Sequence, residues 1–247
     1  MARTLHWFET TGSTNDIAAQ LAQRGAAEGT TVVADAQTSG RGRHGRAWFS
    51  PPGAGLYVSM VLRPPHSIGL EENPARLLTL ASGVAVAEAV RAVTGLPAEI
   101  KWPNDVTVRR RKLAGILAES AAQAGALQFV VLGIGVNLRT AAYPPELASR
   151  VTSIEAETGR SAERGIVLAE ILGALSERYS DLRGRRFDAI LSAWRRLALS
   201  LPSAPVEWDS PKGTVCGRAE GIDETGALLV NIGGTIERVV AGEVRWL

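Results

Sequence analysis

One cysteine, Cys216, occurs in 247 residues, so no disulfide can form within the chain and no thiol-rich metal site exists. Histidine is almost as scarce. His6, His44 and His66 fall at no metal-ligand spacing, which argues against zinc. Lysine contributes only Lys101, Lys112 and Lys212 to the 27 basic residues, and arginine supplies the rest. An excess of one sign of charge is also missing: 27 Lys and Arg against 25 Asp and Glu leave a formal charge of +2. A general nucleic-acid binder shows a larger, clustered excess, and aromatics at 5% leave few stacking platforms for single strands. Long apolar runs are absent too. The opening MARTLHWFETTGSTND lacks the apolar core of a signal peptide. The most apolar stretch, residues 77–93, is broken by Glu88 and Arg91 and is expected to fall short of a membrane span. These absences predict a reduced, cytoplasmic protein with no membrane attachment.

What is present is ordinary globular composition, 45% hydrophobic and 21% charged, which excludes a wholly disordered chain. The length corresponds to about 1.6 domains of roughly 150 residues. Residues 4–10 read as a first strand. Ser13, three residues before Asp16 and ahead of Ile17 and Leu21, resembles a capping box whose hydroxyl is free to cap a helix. Residues 30–34 and 56–62 read as strands, residues 71–94 as a long amphipathic helix, and residues 98–105 as a strand ending in a turn. Residues 112–119 and 127–136 read as strands paired around a turn at 122–126, and residues 166–182 and 187–199 as helices. Beyond Pro202 short strands punctuated by glycine follow, at 214–221, 227–232 and 235–247. The pattern predicts a boundary near residue 200 and a small β-barrel-like appendage.

Residues 38–55 form a loop holding three arginines, one histidine and five glycines, with no buried pattern. Loops of that length inside compact domains are functional or disordered. Its centre is Gly40-Arg41-Gly42-Arg43-His44-Gly45-Arg46, followed by Ala47-Trp48. Glycine lets backbone N–H groups approach a ligand, and arginine offers forked donors to phosphate or carboxylate. Taken alone, the segment reads first as a solvated basic loop or an RNA-binding arginine–glycine segment. Lys101-Trp102-Pro103-Asn104-Asp105, taken alone, is a strand ending in a turn. Arg109, Arg110 and Arg111 suit a solvated hairpin turn, whereas period-2 alternation carries Lys112 into a sheet, where a lysine can hold an anion as a point charge. Gly133-Ile134-Gly135-Val136-Asn137 lacks the third glycine of a dinucleotide fingerprint.

The order and spacing of Ser13-Thr14-Asn15, Gln37, GRGRHGRAW, KWPND, KLAGIL and GIGVN closely resemble the biotin protein ligases. The resemblance runs from residue 13 to residue 137, and the β-rich tail agrees with that family's C-terminal domain. It implies an α+β fold, a mixed β-sheet packed against helices of the class II synthetase-like kind. A small C-terminal SH3-like β-barrel follows, with domains at 1–202 and 203–247. It implies a two-step reaction: biotin and ATP give biotinyl-5′-AMP and pyrophosphate, then biotin passes to a lysine of a biotin carboxyl carrier domain of a biotin-dependent carboxylase. Ser13, Thr14, Asn15 and Gln37 would meet the ureido head. Trp48, Gly115, Leu117 and Gly133 would line the apolar tail, with Gly40 and Gly42 in the enclosing loop. Arg41, Arg43 and Lys112 would neutralise carboxylate and phosphate. Arg46, Asn104 and Asn137 would join Arg43 and Trp48 around the nucleotide, which brings Mg2+ with it. Asp105 would orient Lys112 or take the incoming lysine's proton. The 38–55 loop would close over the intermediate and exclude water.

Only about a dozen residues precede Ser13, too few for a helix-turn-helix module, so no operator DNA binding is expected. The oligomeric expectation is a monomer or weak homodimer. Two alternatives stand beside this reading: a lipoate or octanoate ligase of related fold, and an RNA-binding module built on the arginine–glycine loop.

Overall fold

The computed structural model describes residues 4–64, 74–123, 126–198, 203–210, 213–240, 242 and 244–247. The chain runs β1 (Thr4–Thr11), α1 (Thr14–Gln23), β2 (Thr30–Gln37), β3 (Gly55–Leu62), α2 (Pro74–Thr94), β4 (Glu99–Lys101), β5 (Asp105–Val108), β6 (Arg111–Gln123) and β7 (Ala126–Asn137). Helices α3 (Pro145–Ala148), α4 (Ile154–Thr158), α5 (Arg164–Arg183) and α6 (Phe187–Leu197) follow. The tail is all strand: β8 (Ala204–Ser210), β9 (Gly213–Ile222), β10 (Leu228–Ile232), β11 (Thr235–Val239) and β12 (Val244–Trp246).

The main sheet has seven strands in the order β1-β2-β3-β7-β6-β5-β4. β1 and β2 are parallel and the other pairs antiparallel, so the sheet is mixed, as expected. Strand alternation sorts its residues onto two faces. On β7, Val130, Leu132, Ile134 and Val136 enter the large core with α2, α5 and α6. Phe129 and Val131 point the other way, into a smaller cluster with Ala18 and Ala22 of α1. Continuing along that second face, β7 presents Gly133, Gly135 and Asn137. Only the first turn of α1 reaches this half, through Asn15 over Gly133, and the functional cleft lies there.

Helix α2 is apolar nearly all round, with Leu78, Leu80, Ala81, Val84 and Ala85 buried, the signature of a core helix. Contrary to expectation, it is long and apolar enough to cross a membrane, and 67% of that apolar window is buried inside the protein. The described helix begins at Pro74; residues 71–73, expected as its start, lie outside the described residues, as do 124–125 of the expected turn and 199–202 of the expected boundary.

Four further expectations change. Residues 98–105 form two strands, because the chain turns at a cis Trp102–Pro103 bond and Asp105 opens β5. The 38–55 loop buries Gly40, Ser50 and Ala54 and is pinned by a bridge from Arg41 to Ala47, so it is a built feature. Residues 235–247 divide into β11 and β12, which occupy opposite edges of the tail sheet, and β8 was not anticipated. The tail sheet runs β11-β10-β9-β8-β12 with all pairs antiparallel, which fits the expected SH3-like unit; among the described residues no pairing joins β11 to β12. The unit is fastened to the main body by Trp102, whose buried Nε1 donates to the Gly226 carbonyl at 3.1 Å.

Candidate active site

A cleft of about 430 Å3 opens on the glycine face of β7, between α1, the 38–55 loop, the 101–105 turn and β12. Its floor follows from strand register. Gly115 of β6 pairs with Gly135 of β7, and Leu117 with Gly133, so three glycines lie side by side. The absence of side chains there admits Trp48. A Cβ on Gly135 would stand 2.5 Å from the indole Nε1, and one on Gly115 would stand 2.9 Å from its Cζ3. Gly133 is bare for another reason: a Cβ there would collide with the Asn15 amide.

One end of the cleft is a polar network. Ser13 occupies the N-cap of α1 in extended backbone, yet its hydroxyl makes no cap bond, against expectation. The first N–H of the helix, that of Thr14, donates to Gln37 Oε1 at 2.8 Å, so Gln37 at the end of β2 satisfies one of the helix's orphan donors. The buried Ser13 borders the cleft. Gln37 Nε2 donates to Ser50 Oγ at 2.9 Å. Ser59, fully buried on β3, lies 2.7 Å from Thr14 Oγ1 and 2.5 Å from Asn15 Oδ1. Sequence reading missed Ser59, since nothing local marks it. Asn15 Nδ2 donates to Glu119 at 2.5 Å, and Glu119 also takes Arg41 at 3.0 Å. Asp16 holds the other arm of Arg41. Partial burial works against the Arg41 charge, but the bonds to Asp16 and Glu119 outweigh it and hold the guanidinium above its ordinary pKa. Arg41 thus latches the glycine loop onto α1 and β6.

At the other end stands Lys112. Strict alternation would place it with Ala114 and Ile116 on the core face. A register shift in the β5–β6 pairing skips Leu113, and this bulge turns Lys112 onto the face of Asp105 and Gly115. Its Nζ lies 2.6 Å from Asp105 Oδ1 and 5.2 Å from the centre of the Trp48 ring. Trp48 Nε1 is itself buried against the Gly135 floor and has no partner.

Of the predicted residues, Ser13, Thr14, Asn15, Gln37, Arg41, Gly42, Arg43, Arg46, Trp48, Asn104, Asp105, Lys112, Gly115, Leu117, Gly133 and Asn137 all border this cleft. Gly40 does not. It lies beneath the loop, where a Cβ would meet the Trp48 carbonyl at 2.5 Å and Ser50 Oγ at 2.7 Å, so it packs the loop base. Asn104 Nδ2 donates to the Ile116 carbonyl at 2.8 Å and Asn137 Nδ2 to the Thr152 carbonyl at 3.0 Å, so each amide also braces the cleft wall. Arg109 and Arg111 are not merely solvated: both pair with Glu157, at 3.2 and 2.6 Å. Residues absent from the sequence reading of the site include Arg110, Tyr143 and Trp246. Tyr143 meets Phe49 of the loop at 5.7 Å between ring centres, and burial pushes its phenol pKa up. No group of three His, Cys, Asp or Glu side chains converges to hold a metal among the described residues.

With this geometry, the relatives agree. Residues 7–137 match the biotin/lipoate A/B protein ligase family, and residues 205–245 match the biotin protein ligase C-terminal domain. The biotin--[acetyl-CoA-carboxylase] ligase of Mycobacterium tuberculosis is 35% identical over 98% of this chain and 88% of its own length. The Bacillus subtilis bifunctional ligase/repressor BirA is 35% identical over 99% of this chain and 74% of its own. A biotin protein ligase from Aquifex aeolicus, solved with biotin and ATP, superposes with a TM-score of 0.86 at 30% identity, covering 99% of this chain and all of that one. The chain therefore belongs to the biotin/lipoate A/B protein ligase family, on its biotin protein ligase branch.

Proposed function

We propose that the chain is a biotin protein ligase that makes biotinyl-5′-AMP from biotin and ATP and passes biotin to a lysine of a carboxylase carrier domain. The observation that carries this is the cleft with two chemically different ends on one glycine floor: a polar pocket sized for a compact head, and the Lys112–Asp105 pair 2.6 Å apart. The ureido group is bound by Ser13, Thr14 and Asn15, with Gln37 and Ser59 holding them in place. The thiophane ring and valeryl chain lie along Gly133, Gly135, Gly115 and Trp48. The polar pocket at the end of this track favours biotin's ureido head over a lipoyl or octanoyl chain, which would leave the pocket's buried hydrogen-bonding groups unpaired.

The biotin carboxylate then reaches Lys112. In the first step a carboxylate oxygen forms a bond to the α-phosphorus of ATP and the α–β bridging bond breaks, releasing pyrophosphate. Lys112, with Arg43 and Arg46 of the loop, offsets the repulsion between carboxylate and phosphates. Arg41, already matched by Asp16 and Glu119, holds the loop shut instead of carrying phosphate charge. Mg2+ arrives on the nucleotide, in keeping with its preference for substrate phosphates and few protein ligands. In the second step the acceptor lysine's neutral amine attacks the acyl carbon, AMP leaves, and Asp105 takes or directs the released proton.

Several finer points belong to the same proposal: the division into units 1–202 and 203–247, a carboxylase carrier as acceptor, a cytoplasmic setting, a monomeric or weakly dimeric state, and no operator DNA binding. The test is transfer. Incubation with biotin, Mg-ATP and a recombinant carrier domain is expected to add one biotinyl group by mass spectrometry. Unmodified carrier, from enzyme that does form biotinyl-AMP, would refute the acceptor.

A further inference from the structure

Glu157 sits on α4, outside the cleft, and the reaction described above makes no use of it. Its side chain is completely buried, and a buried carboxylate must be paired. It accepts hydrogen bonds from Arg111 at 2.6 Å, Arg109 at 3.2 Å and the Thr152 hydroxyl at 2.7 Å. Each partner bears on Lys112. Arg109 and Arg111 bracket the β5–β6 turn, where Arg109 and Arg110 take φ values of 49° and 65°, a left-handed conformation that side chains resist. Arg111 is the residue before Lys112. Thr152 lies on the segment that pairs with Lys112 directly: the Lys112 N–H donates to the Arg150 carbonyl at 2.8 Å and the Thr152 N–H to the Lys112 carbonyl at 2.9 Å. The Thr152 carbonyl in turn holds Asn137.

We propose that Glu157 is a positioning residue for Lys112, a single buried carboxylate that clamps the strained arginine turn to the 150–152 wall and so fixes the lysine against the site of adenylyl transfer. A strained turn with a bulge three residues later has two ways to relax, and either would swing Lys112 away from Asp105. The anchor must resist both, which is why it grips the arginines on each side of the turn. The proposal rests on the ligase reading for the role of Lys112.

The test compares Glu157→Gln with the wild-type full chain, counting active sites by the stoichiometry of biotinyl-AMP formed and measuring pyrophosphate release per site. The amide keeps size and one acceptor but loses the charge that holds two arginines. Expected are a full count of sites, an ATP KM or per-site kcat worse by ten-fold or more, and a biotin KM within about two-fold, since the Asn15 end is untouched. A purely structural role would instead lower the site count while the remaining sites kept wild-type kcat and KM, and that result would overturn the proposal. Thr152→Val, which removes one of the three contacts, is expected to show a smaller loss of the same kind; a wild-type ATP KM and per-site kcat in both variants would also overturn it. A wild-type chain releasing no pyrophosphate with biotin would contradict the ligase reading itself.

Discussion

Adding one methyl group at Gly135 tests the glycine floor at its narrowest point. The new Cβ would lie 2.5 Å from both Nε1 and Cε2 of Trp48. Carbon contacts settle at about 3.5–4.0 Å, so the indole must retreat by about 1 Å. A displacement of that size at a reacting site costs on the order of 10²-fold in rate. The indole cannot retreat cheaply, because Lys112 lies on its ring and the Trp48 backbone N–H, bonded to the Gly40 carbonyl at 2.8 Å, ties the residue's main chain to the loop base. Gly135→Ala is therefore expected to lower biotin-dependent pyrophosphate release by about 10²-fold. Global stability is expected to fall by no more than about 2–3 kcal/mol: the lost unfolded-state freedom gains about 0.4–1 kcal/mol and the overpacking costs about 1–3 kcal/mol. Gly115→Ala, at 2.9 Å from Trp48 and 3.3 Å from Lys112 Cε, demands a smaller retreat and is expected to lose roughly ten-fold, about half the logarithmic effect. Steady-state pyrophosphate release with thermal melts on the same preparations separates rate from folding. Wild-type kinetics in Gly135→Ala would refute the claim that the floor is bare for Trp48 and the ligand.

Three further outcomes follow from named contacts. Lys112→Ala is expected to slow adenylate formation by about 10²–10³-fold, the scale for removing one donor at a developing charge; an unchanged single-turnover rate would remove Lys112 from the first step. Trp102→Ala empties a fully buried site between the two sheets and is expected to cost about 3–5 kcal/mol in urea unfolding, so a midpoint close to wild type would contradict the packing. Hydrogen bonds from Arg245 and Thr214 hold Asp209 at about 2, below the ~3.9 of a free carboxylate. A depressed pKa stabilises above about pH 4 and that contribution is lost as pH falls toward 2. Acid unfolding followed in that window is expected to be less steep in Asp209→Asn, and identical curves would sink the assignment.

Local signals carried most of the strand and helix order, because alternation and 3.6-residue periodicity need only neighbours in sequence. They also carried both ends of the cleft, since Ser13, Thr14 and Asn15 share a helix start and Lys112 follows a hairpin. What stayed hidden depends on long-range register. Lys112 and Gly115 are three apart, so plain alternation separates their faces; only the bulge at Leu113 unites them. Ser59 reads as one more residue of a buried strand, and its meeting with Asn15 spans 44 positions. The pairing of Arg41 with Glu119 was not legible, because the two stand 78 residues apart. The role of Gln37 was hidden for the same reason, since it binds the first helical N–H of Thr14 from 23 residues away. Trp246 and Arg110 border the cleft only because the tail folds back, with Arg110 donating to the Leu247 carbonyl at 3.0 Å.

The central claim is that this cleft activates biotin. Its most direct test is pyrophosphate release from Mg-ATP, run in parallel with biotin, lipoate and octanoate. The polar pocket of Ser13, Thr14 and Asn15 above a glycine floor predicts release with biotin and background with the other two acids. Release with lipoate or octanoate in place of biotin would keep the fold and the adenylation chemistry but contradict the substrate, and silence with all three from folded protein would contradict the mechanism.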